Sequence, residues 1–250
     1  MDIALQLPRL GRSQMRKSIA MKAFRCLGLV AMLTPAWLAH AEDAKPSYPN
    51  MAPLEQYLME RSAEIALART AAPPSIADDA EVMVLGKGGY EIAVSGKNGF
   101  VCMVLRGWTG SFDDPVFWNP RSKGPACFNP AAARSFLPLI LKKTELVLAG
   151  RSKDQMVETI RAAINKKELP AMEPGAMCYM MSKQGYLNDQ AGHWHPHLMF
   201  FAPLGEAGTW GDGLPGSPII DAKDEVARVT TFMVPVRQWS DGTDDLPEKH

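Results

Sequence analysis

Hydrophobic and polar positions alternate in blocks along the chain, and the first block predicts a helix. Pro53 suits the first turn of a helix that continues to about Arg69. Leu54, Leu58 and Ile65 recur at a spacing that places them on one buried stripe. The globular part of the chain is therefore expected to begin with a helix.

Three short apolar runs come next, separated by glycine-rich breaks. They predict strands over residues 81–85, 90–95 and 100–105, with the two breaks forming hairpin turns. The third run is apolar at every position. It is therefore expected in the middle of a sheet that is covered on both faces.

Residues 107–130 carry five large aromatic side chains among prolines, glycines and aspartates, and predict a long loop that packs down on the core or gates a site. Helical spacing returns over 131–148, where Pro138 should kink or divide the helix. Ser152 and Gln155 form a capping-box signature for another helix, which ends near Lys167.

The last third of the chain predicts strands again. Residues 176–182 and 193–201 form two apolar runs joined by a polar turn, as in a β-hairpin, and 229–236 forms a final strand. This order of elements predicts one α+β domain over residues 51–240, with 241–250 as a flexible tail. We expect a mainly antiparallel or mixed sheet of five to six strands with three or four helices, an order that a PAS, GAF or roadblock-like arrangement would suit by analogy.

The amino-terminal segment has the features of a signal peptide. Lys22 and Arg25 precede an apolar run over 26–38, and the small-residue motif Ala39-His40-Ala41 follows it. We predict cleavage after Ala41, with Met21 or Met15 as a candidate true start and 42–50 as a disordered leader. The mature protein is thus expected in the periplasm or secreted.

The net charge and the length of the apolar run argue against a nucleic-acid partner and against a transmembrane segment. Loss of residues 1–41 removes six of the 27 basic side chains and one of the 27 acidic ones, leaving a net charge of −5. A mildly acidic surface argues against nucleic acid, which demands clustered lysine and arginine. The apolar run is too short to span a bilayer, so no transmembrane segment is expected.

Three cysteines remain after processing. An oxidising compartment permits one disulfide, and Cys102–Cys127 is the preferred pair, with three unbridged cysteines as the alternative. Cys178 would then be a buried structural thiol. A catalytic pairing of Cys178 with His193 or His195 is a weaker alternative, because Cys178 lacks the electropositive setting of a reactive cysteine.

A histidine cluster is the main candidate for chemistry. In an extended strand, His193, His195 and His197 would share one face, and neighbours two residues apart are close enough to bind one ion. Zinc and copper both suit imidazole, and methionines crowding the same hairpin favour copper unless they only fill the core. The same histidines with Tyr179 and Trp194 are the predicted residues of a ligand-binding site without metal.

Three functions stay open at this point. We favour a ligand-binding or sensory-type domain, because no catalytic set is assembled in the sequence. A zinc-dependent hydrolase using His193 and His195 is the alternative, in which the metal activates water. A structural or partner-binding envelope protein is the third. The ligand and the oligomeric state are not specified by the sequence.

Overall fold

The computed structural model describes residues 48–188 and 194–245. In this part of the chain, five α-helices pack on one mixed sheet of eight strands. The helices are α1 (Arg61–Arg69), α2 (Pro74–Ala77), α3 (Pro130–Ser135), α4 (Leu137–Leu148) and α5 (Lys153–Asn165). The strands are β1 (Glu81–Gly86), β2 (Gly89–Val94), β3 (Val101–Leu105), β4 (Gly124–Phe128), β5 (Met177–Met180), β6 (His197–Pro203), β7 (Ile220–Asp224) and β8 (Val229–Pro235).

The strands lie in the order β2-β1-β3-β4-β5-β6-β8-β7. All neighbours are antiparallel except β1 and β3, which are parallel. The hairpin predicted between β1 and β2 is confirmed, but the one predicted between β2 and β3 is wrong. Apolar β3 is buried along nearly its whole length, so it pairs on the inner side of β1 and leaves β2 at the edge.

The predicted helix over 53–69 is shorter than expected. Residues Leu54–Gln56 form a single 3-10 turn, and α1 begins only after Glu60. The Glu60 carboxylate accepts a hydrogen bond from the Ala63 N–H at 2.9 Å, which caps the helix. The two later helix predictions are confirmed: the helix over 131–148 divides at Phe136, and α5 has the Ser152–Gln155 capping box.

Two strands, β4 and β7, and one short helix, α2, were not predicted. Strand β4 arises from Gly-Pro-Ala-Cys-Phe, where Pro125 pairs with β3 and has no partner in β5, so its missing N–H disrupts no ladder there. Strand β7 is a polar edge strand without an alternating pattern. Helix α2 spans only four residues. The α+β class and the single mixed sheet are confirmed.

Helices cover the two faces of the sheet at different places. Helix α1 packs on β1, β3 and β4, against Val82, Cys102 and Cys127. Helices α3, α4 and α5 cover the opposite face, where Met103 and Phe128 lie in the main core. Trp108, Phe112, Phe117 and Trp118 of the aromatic loop are buried in that core, so the packing predicted for this loop is confirmed.

A buried ion pair fastens α1 to the sheet. Arg106, directly after β3, donates to both carboxylate oxygens of Glu64 at 2.9 Å. The same Glu64 accepts the Leu85 N–H, and Arg106 Nε donates to the Tyr57 carbonyl. Both charges have partners, as buried charges require.

The disulfide prediction is confirmed. Cys102 and Cys127 lie opposite each other in the β3–β4 register and are bonded, whereas Cys178 is a free buried thiol. The predicted carboxy-terminal hairpin also forms, but β6 begins at His197 and not at His193. No helix in residues 48–188 and 194–245 is long and apolar enough to cross a bilayer. The predicted signal peptide lies outside the described residues.

Candidate ligand cavity

A cavity of about 290 Å³ lies between the sheet and helix α4. We call it the central cavity. Leu139 and Ile140 of α4 and Phe136, which joins α3 to α4, form one wall, and the sheet supplies apolar residues of β4, β5, β6 and β8. Those sheet residues are Phe128, Cys178, Met180, Met199, Phe201, Val229 and Met233. A concave, mainly apolar volume of this size is typical of small-molecule sites.

One end of the central cavity is polar, and a buried lysine dominates it. The Lys143 side chain is 1% exposed, and its Nζ donates to the Gly110 carbonyl at 2.8 Å and to Asp224 Oδ2 at 3.3 Å. The ammonium also lies 4.6 Å from the centroid of the Phe112 ring. Burial lowers the pKa of Lys143, and the Asp224 carboxylate opposes that shift.

Three elements far apart in sequence position this polar end. Lys143 lies in α4, and Asp224 ends β7, where its Oδ1 accepts the N–H groups of Val226 and Ala227 in the turn to β8. Gly110 belongs to the aromatic loop, whose Thr109 and Ser111 also line the cavity. The aromatic loop therefore lies at the polar end of the cavity, and the gating role predicted for it stays a prediction.

The sheet wall of the cavity is rich in sulfur. Cys178, Met199 and Met233 are directly opposite one another across β5, β6 and β8. Because opposite residues share a face of the sheet, the three side chains form a row. Burial strongly raises the pKa of the Cys178 thiol, which is thus protonated at neutral pH and has the character of a structural cysteine.

A smaller cavity of about 120 Å³ adjoins the central one and shares Leu105 and Met180 with it. Trp194 lines this smaller cavity and meets the His197 ring edge-on at 5.8 Å between centroids. Among the described residues, neither Trp194 Nε1 nor His197 Nε2 has a hydrogen-bond partner, although both atoms are buried.

The structure separates the residues predicted to form a histidine site. His193 lies outside the described residues. His195 precedes β6, has a side chain that is 76% exposed, and places Nδ1 2.7 Å from Asp245 Oδ2. His197 is the first residue of β6 and is buried. The shared strand face predicted for His195 and His197 therefore does not form, because the strand starts one residue after Pro196.

Tyr179 and Trp194 also lie apart. Tyr179 packs near Phe100 in the core cluster beneath α1. Its strand neighbours Cys178 and Met180 line the central cavity on the opposite face. Among the described residues of this set, the Trp194 and His197 rings are in contact, and His197 Nδ1 lies 2.7 Å from the His195 carbonyl oxygen.

The part of the chain that the structure describes contains no metal site built from carboxylate, thiol and imidazole groups alone. No three side chains of His, Cys, Asp or Glu converge there in a way that could hold an ion. His193 lies outside those residues, and thioether sulfur is not among these groups.

The central cavity could not be identified from the sequence, because its walls come from segments between Leu105 and Met233 that no motif links. One signal was present: Lys143 falls on the apolar stripe of α4, an unusual position for a charged residue. Comparison of the chain with protein-family models, curated proteins and solved structures gives no match.

Proposed function

We propose that the protein binds a small, neutral, mainly apolar molecule in the central cavity and carries out no chemistry on it. One observation carries the proposal: a mainly apolar cavity ends at a buried, internally paired lysine. A pocket with apolar walls and a few converging polar groups is the usual form of a ligand site.

The size of the ligand follows from the volume. A cavity of about 150 Å³ with apolar walls holds benzene. The central cavity, at about 290 Å³, is roughly twice as large and would hold a bicyclic aromatic molecule or an aliphatic one of similar bulk.

The charge of the ligand follows from the groups that line the cavity. Lys143 pairs with Asp224 in the interior, and half-exposed Lys223 pairs with Asp221 at 3.4 Å. The Asp114 carboxylate also lines the cavity and accepts a backbone N–H at 2.9 Å. A charged ligand at the Lys143 end would have to break the buried Lys143–Asp224 pair or enter without a partner, and both are costly where the charges are desolvated. A neutral molecule with one hydroxyl or carbonyl group at the Lys143 end suits the site best.

The test is a calorimetric titration with 2-naphthol, a neutral bicyclic molecule, and with 2-naphthoate, its anionic counterpart. We expect 2-naphthol to bind with a Kd of about 0.1 mM, which corresponds to ~−5.5 kcal/mol, and 2-naphthoate to bind at least about tenfold more weakly.

A cavity-filling variant locates the binding. Thr231 lies on β8 within the cavity wall, so Thr231→Phe should reduce 2-naphthol binding by about tenfold or more, ~1.4 kcal/mol. Ile92→Phe places the same side chain on exposed β2 and should leave binding unchanged. Equal binding by all three proteins would contradict the proposal.

The finer parts of the sequence-based interpretation remain proposals. A sensory role of PAS, GAF or roadblock type rests on element order alone. The zinc-hydrolase alternative rests on His193 and His195, and no observation favours it over ligand binding. Export to the periplasm rests on the amino-terminal sequence.

A further inference from the structure

Four side chains with soft or borderline donor atoms form a compact block on the β5–β6 hairpin. Cys178 pairs with Met199, and Met180 pairs with His197 two residues further along the strands. All four lie on the same face of the sheet, with directly opposite Cβ atoms about 4.5–5.5 Å apart. We call these four residues the sulfur block. Cys178, Met180 and His197 are each at least nine-tenths buried.

The His197 ring is held in one orientation by the backbone. Its Nδ1 lies 2.7 Å from the His195 carbonyl oxygen, which can only accept, so Nδ1 carries the proton and donates. The lone pair is thereby fixed on Nε2. In metal-binding histidines, the ring nitrogen that does not bind the metal usually donates such a hydrogen bond to a carbonyl or carboxylate oxygen.

The His197 Nε2 atom is buried, and no described residue forms a hydrogen bond with it. The same holds for Trp194 Nε1, but an indole N–H only donates, whereas His197 Nε2 carries a lone pair that can bind an ion. Leaving a buried polar atom without a partner is unfavourable, so proteins keep few of them.

Met180 connects His197 with the neighbouring cavity. A Cβ atom placed on Gly124 would lie 3.5 Å from both Met180 Cε and a Trp194 ring carbon. Since the Trp194 ring contacts the His197 ring, Met180 is adjacent to His197 in side-chain packing as well as in register. Methionines alone commonly fill core space, but here Met180 lies opposite His197 in the register and Met199 follows His197 by two residues on the same face.

The donor set determines which ion would bind. Two thioethers, one thiol and one imidazole, with no carboxylate among them, form a soft set that selects Cu(I) over Mg²⁺, Ca²⁺ or Mn²⁺. We propose that Cys178, Met180, His197 and Met199 form a binding site for one Cu(I) ion. On binding, the Cys178 thiol releases its proton to solvent as the copper–sulfur bond forms, with no change in oxidation state.

This inference goes beyond the proposed ligand binding and does not depend on it. The experiment is an anaerobic titration of the full chain, carrying Cys26→Ser, with Cu(I) against the chelator bicinchoninate. The Cys26→Ser change removes the leader thiol from the count of ligands. We expect the chain to withdraw one equivalent of Cu(I) from the chelator, and X-ray absorption to show sulfur neighbours around the metal.

Leucine substitutions remove sulfur with little change in volume, so the fold should survive them. Met180→Leu and Met199→Leu should each weaken Cu(I) binding by about tenfold or more. Met156→Leu is the matched control, because Met156 is fully buried in α5, outside the sulfur block, and it should bind as the parent chain does. Circular dichroism would confirm that each variant is folded.

Two outcomes would overturn the proposal. The first is a parent chain that removes no Cu(I) from the chelator. The second is binding that survives both hairpin methionine substitutions and is lost in His195→Asn, which would assign the ion to exposed His195. Binding of 2-naphthol is measured without copper, so failure of either proposal leaves the other to stand on its own test.

Discussion

At the scale of single residues, the polar end of the central cavity depends on one buried charge and its partner. The Lys143 ammonium is desolvated, and the contacts with Gly110, Asp224 and Phe112 compensate for the loss of water. Such pairs add little to stability relative to apolar replacements, but removal of one partner is expensive. Lys143 therefore shapes the cavity more than it stabilises the fold.

Asp224→Asn should destabilise the protein by about 2–3 kcal/mol, less than a fully buried pair would lose because Asp224 is 19% exposed. Asparagine keeps an oxygen for the Val226 and Ala227 N–H groups, so the loss reports the ion pair. The double variant Lys143→Met/Asp224→Asn should recover part of the stability that Asp224→Asn loses. Urea unfolding of both variants and of Lys143→Met measures the coupling; additive losses would contradict this account.

The pH dependence of stability should contain a contribution from His197. Burial lowers the pKa of its imidazole in the folded protein, whereas an unfolded histidine has a pKa of about 6.5. Below that pH the unfolded chain gains a proton that the folded protein does not. Stability from this group is thus present above about pH 6.5, is lost as the pH falls below it, and levels off below the folded pKa.

His197→Phe keeps an aromatic ring beside Trp194 but cannot titrate. The free energy of unfolding of this variant should fall less than that of the parent chain between pH 7.5 and 5, by up to ~1.4 kcal/mol per unit of pKa shift. Urea unfolding at several pH values measures both slopes. If the free energy of unfolding changed equally with pH in both proteins, His197 would not contribute to the pH dependence of stability.

At the scale of elements, the sequence predicted the features that depend on interactions between neighbouring residues. The Ser152–Gln155 capping box and the break before Pro138 depend on neighbouring residues only, and both were predicted. Strand β4 was missed because its glycine and proline are tolerated only through its pairing with β3. The parallel β1–β3 pairing was missed for a similar reason, since it depends on which faces the helices cover.

The candidate site also combines features that the local sequence predicts with features that only the tertiary fold determines. Cys102–Cys127 was predicted from spacing and compartment, and the structure confirms it. The His-x-His arrangement failed because Pro196 delays the start of β6, and no pattern in the sequence specified where the strand begins. The central cavity joins Lys143 to Asp224, 81 residues away, and only the tertiary fold brings them together.

The segment that carries Trp194 should be sensitive to a single methyl group. A Cβ atom on Gly185 would lie 2.3 Å from the Trp194 ring, so Gly185→Ala must displace the indole, at a cost of about 1–3 kcal/mol. Gly88→Ala is the matched control, because a Cβ atom there meets nothing within 4 Å. Thermal unfolding and tryptophan fluorescence compare the two. Equal stability of both variants would show that the Gly185–Trp194 contact is not formed.

At the scale of the whole molecule, processing and oxidation can be checked together. Mass spectrometry of exported protein should show a chain that begins at Glu42. Thiol titration of that chain under denaturing, non-reducing conditions should give one thiol, Cys178, because Cys102 and Cys127 are bonded. An intact amino terminus would contradict export, and three thiols would contradict the disulfide.

The described part of the chain places a mixed sheet, helix α4 and an aromatic loop around a mainly apolar cavity with a polar end. Intermolecular nuclear Overhauser effects from 2-naphthol test this arrangement most directly. The account predicts contacts from the ligand ring to the Ile140 δ1 and Met199 ε methyl groups, which line opposite walls of the central cavity. Contacts confined to exposed Ile92 or Leu214 would contradict it.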